Sequence, residues 1–107
     1  MSIFKATGTI DFPAADNTVS TAYIEIHFRN AVNTLTVAWD GLLPAGGALV
    51  AKTLKVNGDP ATAADWVPVA AAFTTPGTVF LAGVQGLRVY GLSGTGTGNV
   101  VVTVVAN

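Results

Sequence analysis

The sequence contains a single histidine, His27, and Glu25 lies two positions before it. On a strand this spacing points both side chains the same way. Such a pair has the makings of an acid–base couple or of two metal ligands. A catalytic zinc takes three protein ligands, and the chain has no second histidine and no cysteine to complete the set. The pair therefore reads as exposed groups on a strand face.

The other carboxylates, Asp11, Asp16, Asp40, Asp59 and Asp65, fall at turns and strand ends. Aspartates there commonly hydrogen-bond their own backbone. Asp59 and Asp65 share one loop, the segment where oxygen ligands cluster as a weak calcium site requires. The spacing of carboxylates is compatible with a glycosidase pair, but a chain of 107 residues leaves little room for the cleft. Ser93-Gly94-Thr95-Gly96-Thr97-Gly98 looks like a phosphate loop only on the surface. It precedes a strand rather than a helix and lacks the lysine. The reading is of a protein that is not an enzyme and takes no cofactor or metal.

Among the aromatics, Trp39 is in phase with Leu35 and Val37 and belongs to a core. Trp66, beside a loop, is the better candidate for a partner contact. Exposed aromatic rings in a strip would suit carbohydrate stacking. Arg88 shares a strand face with Tyr90, placed to stack on that ring or to pair with a carboxylate.

These residues sit on a chain patterned at period two. Strands are expected over 3–10, 22–28, 33–39, 49–56, 66–70, 79–82, 87–92 and 99–105, with Gly8 as a bulge. Ile24, Ile26 and Phe28 of the second, Leu35, Val37 and Trp39 of the third, and Leu54 and Val56 beside Val50 of the fourth mark buried faces. Turn chemistry separates the segments at 13–17, 44–47, 57–60, 75–77 and 93–98, with Asn57-Gly58 the strongest signal. The alanine-rich stretch 62–72 has room for one helical turn. About eight short strands in one domain, residues 1–107, indicate an all-β antiparallel β-sandwich, jelly-roll-like or Ig-like.

Composition narrows the functional classes. Net charge is −1, which gives no electrostatic footprint for nucleic acid. No apolar run approaches the ~18 residues of a membrane span, and the first residues lack signal-peptide character. The expectation is a soluble protein, and the absence of cysteine fits assembly in a reducing cytosol. Charged residues make up only 10% and hydrophobic ones 50%, against about 25% charged in an average domain. Such a surface is covered by uncharged polar residues and, in part, by a partner. Val100 to Val105 is apolar on both faces apart from Thr103, so the strand is either central or covered by a neighbouring subunit.

From Trp39 to Val105 the sequence resembles small virion proteins of tailed bacteriophages, including head decoration (cement) proteins and head- or tail-fibre domains. The resemblance rests on Trp39-Asp40-Gly41 with Gly46-Gly47, on Asn57-Gly58-Asp59 followed by Trp66, and on Thr75-Pro76-Gly77. It continues through Leu87-Arg88-Val89-Tyr90-Gly91-Leu92, Gly94 to Gly98 and the closing valine strand. The usual Ser-x-Asp-Gly before the second Trp is replaced by Asn57-Gly58-Asp59-Pro60. The resemblance implies a virion structural protein, assembled in the host cytoplasm, that binds the major capsid protein or another virion protein as a symmetric homo-oligomer, a trimer being favoured. A fibre or tail component, or a carbohydrate-binding adhesin module, is the alternative. Contact residues expected are Ile3 and Phe4 of the N-terminal segment, the loop aromatics Phe12, Trp66 and Phe73, and Val101 and Val105.

If His27 and Glu25 carry no chemistry, His27→Ala leaves folding within about 1 kcal/mol of wild type, as surface substitutions do. Stoichiometric zinc lost in that variant, measured by elemental analysis, would refute this.

Overall fold

Among the described residues six antiparallel strands form: β1 (Phe4–Phe12), β2 (Tyr23–Gly41), β3 (Ala48–Leu54), β4 (Trp66–Pro68), β5 (Gly77–Leu92) and β6 (Gly98–Ala106). This computed structural model describes residues 4–12, 23–41, 43, 47–70, 73–92 and 98–107. All six strands belong to one sheet in the order β1-β6-β2-β5-β3-β4. The alanine-rich stretch does hold a helical turn, the 3₁₀ segment Ala63–Asp65.

β2 and β5 are long because each serves as two strands. Their pairing runs from Tyr23↔Tyr90 to His27↔Gly86, slips, and resumes from Val32↔Val84 to Trp39↔Gly77. On one side of the slip, β5 is flanked by β3 from Ala48↔Leu92 to Leu54↔Gly86. On the other, β2 is flanked by β6 from Leu35↔Ala106 to Gly41↔Val100. The sheet therefore folds over at the slip into two layers, as sandwiches do where strands change sheets through bulges. The first layer is β1, β6, the second half of β2 and the first half of β5. The second is the first half of β2, the second half of β5, β3 and β4. This winding is a jelly roll, and the Ig-like option gives way to it. The eight expected segments are present, with 22–28 joined to 33–39 and 79–82 joined to 87–92.

The corner has a local cause. Gly83 takes φ +65°, a conformation open to glycine at little cost. Backbone groups freed by the slip need other partners. Gln85 supplies one, its side-chain nitrogen donating to the Arg29 carbonyl at 3.2 Å, while its oxygen accepts from the Asn57 N–H in the turn after β3 at 2.7 Å.

The core lies between the layers. Ile10, Phe12, Leu35, Val37, Trp39, Val100, Val102 and Val104 come from the first layer; Leu49, Ala51, Leu87 and Val89 come from the second. Trp39 is seated as expected, its ring centroid 4.4 Å from that of Phe73 and its indole N–H donating to the Thr75 carbonyl at 2.8 Å. Several expectations change. Gly8 is not a bulge, since β1 pairs with β6 in unbroken register. It is small because a Cβ there would lie 2.8 Å from Ile24 Cδ1 in the facing layer. In β3 the core takes Leu49 and Ala51, whereas Val56 is exposed. Leu54 is buried, but outside the interlayer cluster. β6 is central, between β1 and β2, so Val100, Val102 and Val104 are sealed while Val101 remains 42% exposed.

The layers approach closely at Gly91, where a Cβ would meet the Phe12 ring at 3.0 Å and Ile10 Cγ2 at 3.3 Å. Gly91→Ala should therefore cost about 1–3 kcal/mol by overpacking, read as a lower urea midpoint with an unchanged slope.

Candidate docking face

The two layers present very different surfaces. On the outside of the second layer, alternation along the strands brings Glu25, Arg88 and Lys52 into one cross-strand row and His27, Gly86, Leu54 and Trp66 into the next. Arg88 Nε donates to Glu25 Oε1 at 2.6 Å, and His27 Nε2 lies 2.8 Å from Glu25 Oε2. The Arg88 guanidinium also caps the Trp66 ring, 4.3 Å from its centroid. Trp66 lies against Gly86, where a Cβ would come within 3.3 Å of the ring, and donates its N–H to the Pro60 carbonyl at 3.0 Å. So Arg88 pairs with a carboxylate as anticipated but stacks on Trp66 instead of Tyr90. Lys52 takes the Tyr90 ring, at 5.7 Å.

The loop before Trp66 is closed by its own carboxylates. Asp59 accepts from the Ala61 N–H and the Thr62 hydroxyl, both at 3.0 Å. Asp65 accepts from the Asp59 N–H at 2.7 Å and pairs with Lys55 at 2.8 Å. The oxygens that suggested calcium are thus occupied by the loop itself. Among the described residues no cluster of three metal-ligating side chains occurs.

On the outside of the first layer the rows read Thr7, Thr103, Ala38, Thr78 and then Lys5, Val105, Thr36, Phe80, with Thr9, Val101 and Asp40 at the end. The charges sit at the margins: Lys5 and Asp11 on the outer strand β1, and Asp40 next to the end of β2. Between them the face is threonine, alanine and valine, with Phe80 79% exposed. An open groove of about 640 Å³ crosses the Asp40 end, lined by Ala38, Asp40, Pro76, Thr78, Val101 and Thr103.

The expected contact residues are distributed unevenly over this frame. Val101 and Val105 lie on the first-layer face. Phe4 is half-buried, edge-on to Phe28 with ring centroids 5.5 Å apart. Phe73 is half-buried, and its backbone is bonded to Leu49. Phe12 and Trp66 are 5% and 4% exposed and offer no contact surface. Phe12 continues the inward phase of Ile10, and Trp66 is roofed by Arg88. Ile3 lies outside the described residues. The residue missed was Phe80. Its signal was its phase, between Val79 and Leu81, which both turn to the core.

Comparison with protein-family models gives no match, and comparison with curated proteins gives none. Among solved structures the chain is similar to a protein of Bacillus endospore appendages, described as a novel family of disulfide-linked pili. The identity is 16% and the TM-score 0.45, over 97% of this chain and 87% of that one. It is also similar to the infectious bursal disease virus VP2 subviral particle, at 16% identity and TM-score 0.38, over 97% of this chain and 33% of that one. A structure of the Gx strain of that virus gives 16%, TM-score 0.29, and 98% and 38% coverage. At these scores the likeness carries no functional information.

Partial burial pushes the Glu25 carboxyl up, but the hydrogen bonds and charges of Arg88 and His27 outweigh it and hold it below the usual range. A carboxyl lowered on folding adds stability that is complete above its unfolded pKa of about 4.3 and is lost as pH falls through the lower folded value. Glu25→Gln should cost up to about 1 kcal/mol at pH 7 and flatten the acid slope below about pH 4.3, followed by urea denaturation across pH.

Proposed function

We infer that this chain is a structural protein of a virion, which binds an assembled protein shell through the outer face of its first layer and catalyses nothing. The observation that carries the reading is the face itself: uncharged across its middle, built on the four paired strands of the first layer, and bearing exposed Val101 and Phe80. Interfaces deplete charge at their centres and keep polar groups at the rim, the distribution seen here. A rigid sheet also loses little ordering entropy when it docks. The resemblance to phage decoration proteins supplies the identity of the shell, coat protein of a tailed-phage head. Fibre or tail attachment is the alternative placement.

The carbohydrate-binding alternative loses its best ring, since Trp66 lies beneath Arg88 with its N–H engaged. A ring covered in that way offers no open face for a sugar.

A protein that binds the assembled shell and not the free coat stabilises the shell by mass action. Parent particles carrying the protein should therefore resist heat or chelator longer than particles lacking it. Val101→Asp should abolish co-sedimentation with those particles while leaving the fold intact, because the Val101 side chain projects from the sheet. Equal particle stability, with no copies retained, would end the decoration reading.

A further inference from the structure

The jelly roll leaves four strand edges without a ladder partner among the described residues: one side of β1, of the first half of β2, of β4, and of residues 77–82 of β5. An open edge is a template for another strand, and proteins blunt such edges with charges, prolines or brevity. Three of the four are blunted. β1 carries exposed Lys5 and Asp11, the first half of β2 carries Glu25 and Arg29, and β4 is three residues long and ends in Pro68. The fourth carries none of these devices. Gly77-Thr78-Val79-Phe80-Leu81-Ala82 has no charge and no internal proline, and Arg88 is the only charged residue between Trp66 and Asn107.

We propose that residues 78–82 of β5 pair antiparallel with the same residues of a second copy, Phe80 opposite Phe80, joining two first layers into one continuous sheet across a two-fold axis. The occupant follows from charge and symmetry. A strand bearing charge sets like charges opposite one another when it meets its own copy; this one has none to set. Antiparallel pairing with a copy is isologous, and it consumes both edges and stops at two. Side chains gain on both sides of the sheet. Phe80, 79% exposed in one copy, meets its counterpart on the outer face. Val79 and Leu81, partly buried at the margin of the core, become covered on the inner one. Pro76 and the left-handed Gly83 limit the paired segment at its two ends. The contact therefore lies at the β5 edge, with two-fold symmetry, and not on the β6 face of the expected trimer. Self-pairing does not depend on the shell-binding reading, although it would double the docking face and so add avidity to it.

The natural absence of cysteine makes the test clean. Sedimentation equilibrium of the full chain should show a species of twice 10.8 kDa. Phe80→Lys should weaken that dimer by roughly tenfold or more, through facing like charges and lost apolar contact. Val101→Lys, on the same face but on β6, should leave it unchanged. Single cysteines at Thr78, Phe80 and Ala82 should form an oxidised covalent dimer most readily at the one nearest the axis, since residues directly opposite in an antiparallel pair come within disulfide reach. A monomer at 100-fold dilution series up to the highest soluble concentration overturns the proposal. So does a dimer or trimer dissolved by Val101→Lys and not by Phe80→Lys, which would place the contact on the β6 face. Cross-linking no greater at residues 78–82 than for Val101→Cys overturns it as well.

Discussion

The continuous pairing of β2 with β5, folded once across its middle, is the constraint on which the molecule depends. Because each strand belongs to both layers, neither layer can form with its register independent of the other. The slip between His27 and Val32 sets where the sheet turns, and so decides which residues of four other strands face the core. A slip by one residue on either side would invert every side chain beyond it. Gly83 and Gln85 make the corner possible, one by adopting a positive φ and the other by bonding the Arg29 carbonyl within the slip and tying the corner to the Asn57 turn.

This same corner explains how much of the fold was legible in the sequence. Alternation exposed all eight strand segments, because a half-buried strand must alternate whatever it pairs with. It placed Leu35, Val37 and Trp39 inward and identified the valine strand as unusual. Joining segments end to end was not legible, because residues around Gly83 read equally well as a turn or a bend. Only long-range pairing distinguishes the two. Phases failed where burial arose outside the core: Leu54 and Trp66 are buried on the outer face of the second layer, held there by the guanidinium of Arg88 and the missing side chain of Gly86. Apolar type and loop position suggested a free tryptophan, and the roof over it comes from a strand more than twenty positions away in sequence.

The candidate site was legible in kind but not in place. Low charge and a two-faced valine strand pointed to a covered surface, and Val101 does face outward. Phe12 fell away because β1 runs straight to its end against β6, carrying Phe12 inward in phase with Ile10. Phe80 could have been found from the same alternation, since an aromatic flanked by two inward residues must project from the sheet.

The two outer faces divide the polar work of the molecule. The second layer concentrates Arg88, the aromatic–cation contacts of Arg88 and Lys52, and the Glu25–His27 pair, all satisfied within the chain. A face whose charges are already paired gains little by docking, since each pair must be desolvated before a partner can compensate it. Inside its charged margins of Lys5, Asp11 and Asp40, the first layer's outer face holds threonine, alanine, valine and the projecting Phe80, whose desolvation cost is low. The asymmetry follows from where the charges fall in the chain: β5 carries Arg88 on the half that enters the second layer and no charge on the half that enters the first. One strand crossing the corner thereby gives the protein a self-contained side and an associating side, and the associating side includes the edge left without a partner.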